Sequence, residues 1–183
     1  MKRAVLAVLA GLVLVAAAPA ADRFLIAAAG SYLRPSDPGF REIYGAGVFA
    51  PGAWAGVRVV KGLHAFAGYE WSTKHGTTPE LGLEAKSTQR AIWAGLGYVV
   101  RVADLVQFKV EAGGASIGYT EEAMELTISG SALGFRAGAG FLFLSRVLFT
   151  EFSLGYLGAS DTVEDVPIKL GGFKATLCVG VRL

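Results

Sequence analysis

The segment 133–143, LGFRAGAGFLF, alternates between two kinds of side chain, and this alternation limits the fold more than any other feature of the chain. Every second residue from Leu133 is Leu, Phe or Ala, whereas the intervening positions hold three glycines, Arg136 and Leu142. A period of two is that of a β-strand, whose successive side chains point to opposite faces. The segment is therefore predicted to be a strand with one wholly apolar face.

The same alternation recurs along the chain and predicts eight strands. They cover about 23–33, 46–60, 63–72, 87–101, 106–119, a sixth ending near 143, 148–156 and 173–183. Short turns at 61–62, 103–105 and 144–146 alternate with longer polar loops at 34–45, 73–86, 120–127 and 160–169. No capping box opens a stripe of period 3.6, so no helix is predicted. Alternating short and long connections indicate an up-and-down antiparallel barrel with both termini at the short-turn end.

The composition argues against several other classes of protein. Apolar residues make up 53% of the chain and charged residues 17%, yet beyond the N-terminal segment no run of 18 uncharged apolar residues occurs. Transmembrane helices are therefore not predicted. Cys178 is the only cysteine, which excludes an intramolecular disulfide. A formal net charge of +2, scattered along the chain, gives no reason to expect a nucleic-acid partner.

The N-terminus has the pattern of an export signal. Lys2 and Arg3 precede an apolar run over 4–18, and Ala18-Pro19-Ala20 supplies small residues at a cleavage position. No cysteine stands at that point, so a lipoprotein signal is not predicted. We expect a cleaved signal peptide over residues 1–20, with cleavage after Ala20 or Ala21, and a barrel domain over 21–183.

The glycine-rich face identifies the inside of the barrel. A soluble ligand-binding barrel would place its apolar face inward and would show Gly134, Arg136 and Gly138 to water, where soluble sheets carry longer polar side chains. The lumen of an eight-stranded barrel is narrow and is filled by side chains, which suits small residues and a few charges. On a lipid face an arginine would cost about 2–4 kcal/mol. The pattern therefore favours an all-β, eight-stranded transmembrane barrel with its apolar face toward lipid.

The odd or even position of a residue along its strand, its parity, assigns each charged and aromatic residue to the inward or the outward face. The predicted lumenal charge network, which would pair and close the barrel, consists of Arg58, Glu70, Lys109, Glu111, Arg136, Glu151, Lys174 and Arg182. The predicted outward aromatics, which would lie at the membrane interfaces, are Tyr69, Trp71, Tyr98, Tyr119 and Tyr156. Trp54 and Trp93 fall on the inward side, as does Cys178.

Two segments resemble a known family. LRPSDPGFREIYGAG at 33–47 and KGLHAFAGYEW at 61–71 are similar to the first hairpins of the small bacterial outer-membrane β-barrel proteins, the OmpA-like, OmpW-like and OmpX-like group. The resemblance implies an eight-stranded barrel inserted by the outer-membrane assembly machinery, in contact with outer-membrane lipid and lipopolysaccharide. That machinery usually recognises a final aromatic residue, whereas this sequence ends in Leu183, and Cys178 stands where a glycine is expected. We expect no peptidoglycan-binding domain beside the barrel.

Candidate chemistry is sparse. His64 is predicted to be lumenal, and His75 lies in a long loop near Ser72 and Thr73, but no carboxylate is placed to complete a catalytic group. Acidic residues in the third and fourth loops could collect a cation, although their spacing matches no calcium loop; they are Glu121, Glu122, Glu125, Asp161, Glu164 and Asp165. A solvated acidic rim is the favoured interpretation. We predict no catalytic, cofactor-binding or metal site.

The sequence thus predicts an outer-membrane barrel with a structural or surface-interaction role, whose four long loops carry any recognition of an extracellular partner. Three alternatives stay open. The barrel could be a narrow conduit for small or hydrophobic molecules, a lipid A-modifying enzyme that uses His75, or a soluble exported binding barrel.

Overall fold

The computed structural model describes residues 23–124, 126–163 and 165–183, and the predicted signal peptide lies outside these ranges. Eight antiparallel strands form a closed ring in which each strand pairs with its neighbours in sequence and β8 pairs with β1. The predicted eight-stranded up-and-down barrel is therefore confirmed. The elements are β1 (Phe24–Pro35), α1 (Pro38–Tyr44), β2 (Val48–Val60), β3 (Leu63–Thr77), β4 (Glu84–Ala103), β5 (Val106–Ala123), β6 (Leu126–Ser145), β7 (Leu148–Val163) and β8 (Val166–Arg182).

The ring closes with a stagger between its strands. Following the paired residues once around the barrel from Ile26 leads to Gly171 of β8, which accepts a backbone hydrogen bond from Ser36. The path thus returns beside Ser36, just after the end of β1, and not beside Ile26. Such a stagger tilts the strands relative to the barrel axis, as closure requires, and it leaves no strand edge free.

The two ends of the barrel differ. At the short-turn end, β2–β3, β4–β5 and β6–β7 are joined by tight turns, and β1 begins beside the end of β8. At the helix end, α1 joins β1 to β2, and residues 78–83 join β3 to β4. Strand β5 ends at Ala123 with β6 beginning at Leu126, and β7 ends at Val163 with β8 beginning at Val166.

The helix-end loops are shorter than the sequence predicts. The predicted loops at 120–127 and 160–169 are largely strand, and much of 73–86 also belongs to β3 and β4. Met124 and Asp165 have positive φ angles of 55° and 66°, which allow tight reversals of the chain. The prediction failed because the outward positions of these strand ends are largely polar, so the apolar outward stripe that marks the strands in sequence stops while the backbone pairing continues.

Helix α1 was not predicted. Asp37 caps it by accepting a hydrogen bond from the backbone N–H of Phe40 at 3.0 Å, and Pro38 stands in its first turn. Gly45 ends the helix with a φ of 86°, which favours glycine. The helix is only 7 residues long, which is too short to produce a stripe of period 3.6. Its signals lie in the capping residues alone.

The outer wall carries a broad apolar band. Large side chains such as those of Leu133, Ile92 and Leu177 are exposed on it, which is how outer-membrane barrels face lipid. Toward the helix end the outward positions of β3–β6 become polar, and Lys86 and Glu122 form a salt bridge of 3.1 Å on the outer surface. These four strands therefore project beyond the band. None of the helices in the described residues is long and apolar enough to cross a membrane.

Candidate functional site in the barrel lumen

Six charged residues from five strands meet in the middle of the lumen, and we call them the lumenal charge network: Glu70 (β3), Lys109 and Glu111 (β5), Arg136 (β6), Glu151 (β7) and Lys174 (β8). Each occupies an inward position of its strand. Most of their neighbours on the same face are small or apolar, and among the described residues the ion pairs of these charges are with one another. Three cations face three carboxylates.

The first half of the network is centred on Lys109. Its Nζ lies 2.8 Å from Glu151 and 3.2 Å from Oε2 of Glu111. Lys109 and Glu151 are each 1% exposed. In the low-dielectric lumen a buried charge of this kind is tolerated only when it is paired and hydrogen-bonded.

Arg136 joins this half to the second. Its guanidinium donates from Nε at 3.0 Å and from Nη2 at 2.6 Å to Oε1 of Glu111, and its Nη1 lies 3.9 Å from Glu70. Glu70 also accepts a hydrogen bond from the ammonium group of Lys174. The charges therefore form a continuous chain across the lumen from Glu151 to Lys174.

Aromatic rings enclose the cations. The Nζ of Lys109 lies 4.5 Å from the ring centre of Trp54 and 5.0 Å from that of Phe66, and Cζ of Arg136 lies 3.9 Å from that of Trp93. Both distances to tryptophan fall in the range of cation–π attraction. As predicted from parity, Trp54 and Trp93 are inward and buried.

Glycine makes room for Trp93. A Cβ placed on Gly68 of β3 would lie 2.5 Å from the Trp93 ring, closer than side-chain atoms approach one another. The alternation of glycine with large residues on the inward face is thus a packing requirement. It lets large side chains pack around the charges in the lumen.

Two of the predicted lumenal charges lie elsewhere. Arg58 and Arg182 line a cavity of about 520 Å³ at the short-turn end, beyond the network. Arg182 donates to the backbone carbonyl of Arg146, which holds its guanidinium at the barrel mouth. These residues belong to a second lumenal region, the turn-end cavity, whose lining also includes His64.

Four of the five predicted interface aromatics face outward. Tyr69, Trp71 and Tyr98 are exposed on the outer wall, and Tyr156 packs outside the barrel against Phe135 and Phe173. Phenylalanines that were not selected from the sequence extend the same belts: Phe49, Phe108, Phe135, Phe141, Phe143, Phe152 and Phe173. Their outward parity was the signal that could have identified them.

Tyr119 faces the lumen, contrary to the prediction from sequence. It was predicted to face lipid, but it is 5% exposed and lies in the lumen, where its hydroxyl donates to Asp161 at 2.9 Å. Strand β5 runs from Lys109 to Tyr119 without a shift in its pairing with β4 or β6. The inward parity of Lys109 and Glu111 therefore extends to Tyr119.

A second tyrosine contacts a carboxylate at the helix end. The Tyr44 hydroxyl, from α1, donates to Glu121 on the projecting part of β5. Burial raises the pKa of Tyr44, and the neighbouring carboxylate raises it further. Burial also raises the pKa of Glu121. We call Tyr44–Glu121 and Tyr119–Asp161 the tyrosine clasps; each joins residues far apart in the chain, so the sequence pattern does not predict them.

These contacts change the interpretation of the acidic residues. Glu121 and Asp161 accept from tyrosines, and Glu122 pairs with Lys86, so their oxygens are engaged within the protein. Among the described residues no group of three or more His, Cys, Asp or Glu is arranged to hold a metal ion. Glu125 and Glu164 lie outside the described ranges.

The candidate catalytic residues do not come together. His75 lies on β3 with Glu84, Lys86 and Glu122 around an open cavity at the helix end. Ser72 is buried on the opposite face of β3, and the Thr73 hydroxyl lies 3.5 Å from that of Thr88. This arrangement does not supply the nucleophile within reach of a base that hydrolysis or acyl transfer needs.

Comparison with known proteins identifies the fold. No protein-family model matches the sequence, and no curated protein is similar to it. Among the solved structures, the outer membrane protein OprG from Pseudomonas aeruginosa is similar to this chain, with 11% identity and a TM-score of 0.69. The match covers 89% of this chain and 96% of the OprG chain. Neisserial surface protein A matches with 14% identity and a TM-score of 0.66, covering 90% and 99% of the two chains.

A third solved structure is Ail, the attachment invasion locus protein of Yersinia pestis. It has 14% identity and a TM-score of 0.55, and the match covers 88% of this chain and 99% of that one. At these identities the likeness concerns the fold. The chain has the fold of the eight-stranded outer-membrane β-barrels, as the family resemblance in its sequence implies.

Proposed function

We propose that this protein is an integral outer-membrane barrel whose lumen is closed to free diffusion and whose projecting helix end serves a structural or surface-interaction role. The observation that carries this proposal is the lumenal charge network together with its aromatic wall, which fills the middle of the lumen. The apolar outer band supplies the surface for insertion into lipid. The N-terminal 20 residues act as a cleaved signal peptide in this proposal.

The proposal also assigns an orientation. Short turns and both strand termini of a bacterial barrel lie on the periplasmic side, and the longer connections face outward. The short-turn end would therefore face the periplasm, and α1 with the projecting parts of β3–β6 would stand above the lipopolysaccharide-facing edge of the band. The outer-membrane assembly machinery would insert the chain from the periplasm.

The surface role is favoured over catalysis. The projecting strands are held by the tyrosine clasps and the Lys86–Glu122 pair, which give a firm surface for contact with a partner. Two proteins of similar fold are called a surface protein and an attachment invasion protein. The surroundings of His75 give no support to a lipid A-modifying activity.

Membrane insertion is tested by gel mobility of the membrane-extracted protein, unheated and boiled. A closed membrane barrel stays folded in cold SDS and migrates differently after boiling, and we expect such a shift together with recovery in the outer-membrane fraction. Recovery in the soluble periplasmic fraction without a shift would contradict the proposal and favour a soluble binding barrel.

Closure of the lumen is tested by recording single channels in planar bilayers. We expect no steady conductance from the wild-type protein, because the charge network blocks the lumen. The variant W93A/R136S, which removes the indole and guanidinium that cross the lumen, is expected to conduct. Conduction by this variant, together with a mobility shift on boiling in both proteins, would show that silence of the wild type comes from its filled lumen and not from a failure to insert. A steady wild-type conductance would favour the conduit.

A further inference from the structure

The turn-end cavity has a volume of about 520 Å³ and is open to solvent. It lies in the barrel mouth, on the short-turn side of the lumenal charge network. Its polar and charged lining comes from five strands and the β2–β3 turn: Arg58, Lys61, His64, Arg101, Gln107 and Arg182. Apolar side chains from Leu25 and Val99 complete the wall.

The charge of this lining has one sign. No carboxylate side chain belongs to it, although four of its members are lysine or arginine. Asp104 pairs with Arg101 at 2.9 Å, but its side chain is 97% exposed and is not part of the cavity lining. A concave site lined by cations and walled by low-dielectric protein concentrates its field on whatever enters, which favours an anion.

The position of His64 adds a directed group. Its Nδ1 donates to the carbonyl of Gly62 at 3.2 Å, and its ring stacks on Phe66 with a centroid separation of 5.7 Å. With Nδ1 engaged, Nε2 is the ring nitrogen that can meet a ligand. The imidazole is thereby held in a fixed orientation beside the arginines.

The cavity also reaches the outer wall of the barrel. Tyr98 and Val100 line it, yet both occupy outward positions of β4 and are exposed. The Tyr98 ring covers Gly62, where an added Cβ would lie 2.7 Å from it and where φ is 79°. A ligand in the cavity can therefore contact both the cationic mouth and the edge of the apolar band.

We propose that the turn-end cavity binds a phosphate ester. Guanidinium groups pair with phosphate oxygens through two parallel hydrogen bonds, and three residues that carry this group line the cavity: Arg58, Arg101 and Arg182. The volume exceeds that of a single phosphate and falls in the range of small-molecule sites, so the ester carries a neutral or apolar portion against Leu25 and Val99. Two sources share this chemistry, a phospholipid headgroup and a soluble phosphate ester. The anion site rests on the fold, and only its periplasmic location rests on the proposed function.

The test titrates two probes into the folded, full-length mature protein in a non-ionic detergent at low salt. The probes are sn-glycerol 3-phosphate and short-chain diheptanoyl phosphatidylglycerol, and heat release reports binding. We expect at least one to bind, and we expect R58Q to weaken that binding about tenfold or more, the effect of losing one charge-assisted contact. K61Q should weaken it less, because Lys61 is exposed on the turn.

The matched control is R90Q, which removes the same charge from an exposed outward position of β4 far from the cavity. Binding of the lipid alone identifies a headgroup as the ligand, and binding of the soluble ester identifies a soluble source. Absence of binding by both probes, or equal weakening by R90Q and R58Q, would overturn the proposal. The mobility shift on boiling confirms that each variant is folded, so a failed membrane insertion is distinguished from a failed anion site.

Discussion

In the middle of the lumen, three cations and three carboxylates are buried within salt-bridge distance of one another, whereas at the short-turn end the cavity lining holds cations without a carboxylate side chain. Three strands, β3, β5 and β8, contribute residues to both regions. Water explains the difference, since the mid-lumen charges are cut off from solvent and must neutralise one another. Cations at the mouth remain in contact with solvent, which screens the pairs that they form, as in the exposed Arg101–Asp104 pair. We infer that the contribution of an ion pair to stability increases with its depth in this barrel, and the following predictions test that relation.

The largest effect is expected for K109M. This change removes the cation between Glu111 and Glu151 and leaves two buried carboxylates with less compensation, which costs about 3–5 kcal/mol in the free energy of unfolding. Urea unfolding in lipid vesicles measures the loss. The control K169M removes an exposed lysine at the helix end and is expected to change stability by less than about 0.5 kcal/mol. Equal losses would contradict the relation between depth and pairing.

A smaller effect is expected for Y119F. The substitution removes the hydroxyl that donates to Asp161 at 2.9 Å and leaves the ring in place. Loss of one hydrogen bond to a partly solvated carboxylate costs about 1 kcal/mol. The same unfolding measurement on Y69F, where the hydroxyl lies on the exposed outer wall, is expected to show a smaller change. If Y69F lost as much free energy of unfolding as Y119F, a stabilising role for the Tyr119–Asp161 hydrogen bond would be contradicted.

The Tyr44–Glu121 clasp is expected to respond to pH. Burial raises the pKa of Glu121 above its ordinary value of 4.5, so the folded state holds the proton more tightly than the unfolded state. The resulting stabilisation is complete below that ordinary value and is lost as the pH rises through the folded-state pKa. The free energy of unfolding of the wild type should therefore fall as the pH rises through the pKa of Glu121. In E121Q this pH-dependent loss of stability is expected to be absent. The same pH dependence in E121Q and wild type would contradict the assignment of the effect to Glu121.

The smallest effect is expected for D104A. The Arg101–Asp104 pair at the short-turn end has side chains that are 66% and 97% exposed. Surface ion pairs contribute little because solvent and salt screen them. Unfolding in vesicles should give a free energy within about 0.5 kcal/mol of wild type. A loss comparable to that of K109M would show that depth does not govern the value of a salt bridge here.

The sequence predicts the fold because one physical pattern, alternation of period two, determines both the strands and their inward faces. The same parity selects the members of the lumenal charge network and places Trp54 and Trp93 inside. It could not show which charges meet, because partners such as Glu70 and Lys174 are far apart in the chain and are brought together by ring closure and stagger. The separation of Arg58 and Arg182 from the network depends on height along the barrel axis, which parity does not encode.

The errors arise where the hydropathy contrast vanishes. Beyond the apolar band the outward positions are largely polar and charged residues are frequent, so the ends of β5–β8 resemble loops in sequence. Tyr119 was misplaced because its position near a strand end outweighed its parity with Lys109. Helix α1 has clear capping residues in Asp37, Pro38 and Gly45, but it is too short for periodicity to identify it.

The paired ends of β5 and β6 have a consequence for antibodies and engineered tags. Strand pairing continues to Ala123 and Leu126, so the tip of this hairpin is carried on a stalk of hydrogen-bonded backbone rather than on a slack loop. An epitope displayed there would be presented in one orientation, and a peptide inserted between these residues would leave the ladder below it intact. Changes of sequence at the tip are therefore expected to leave the barrel wall intact.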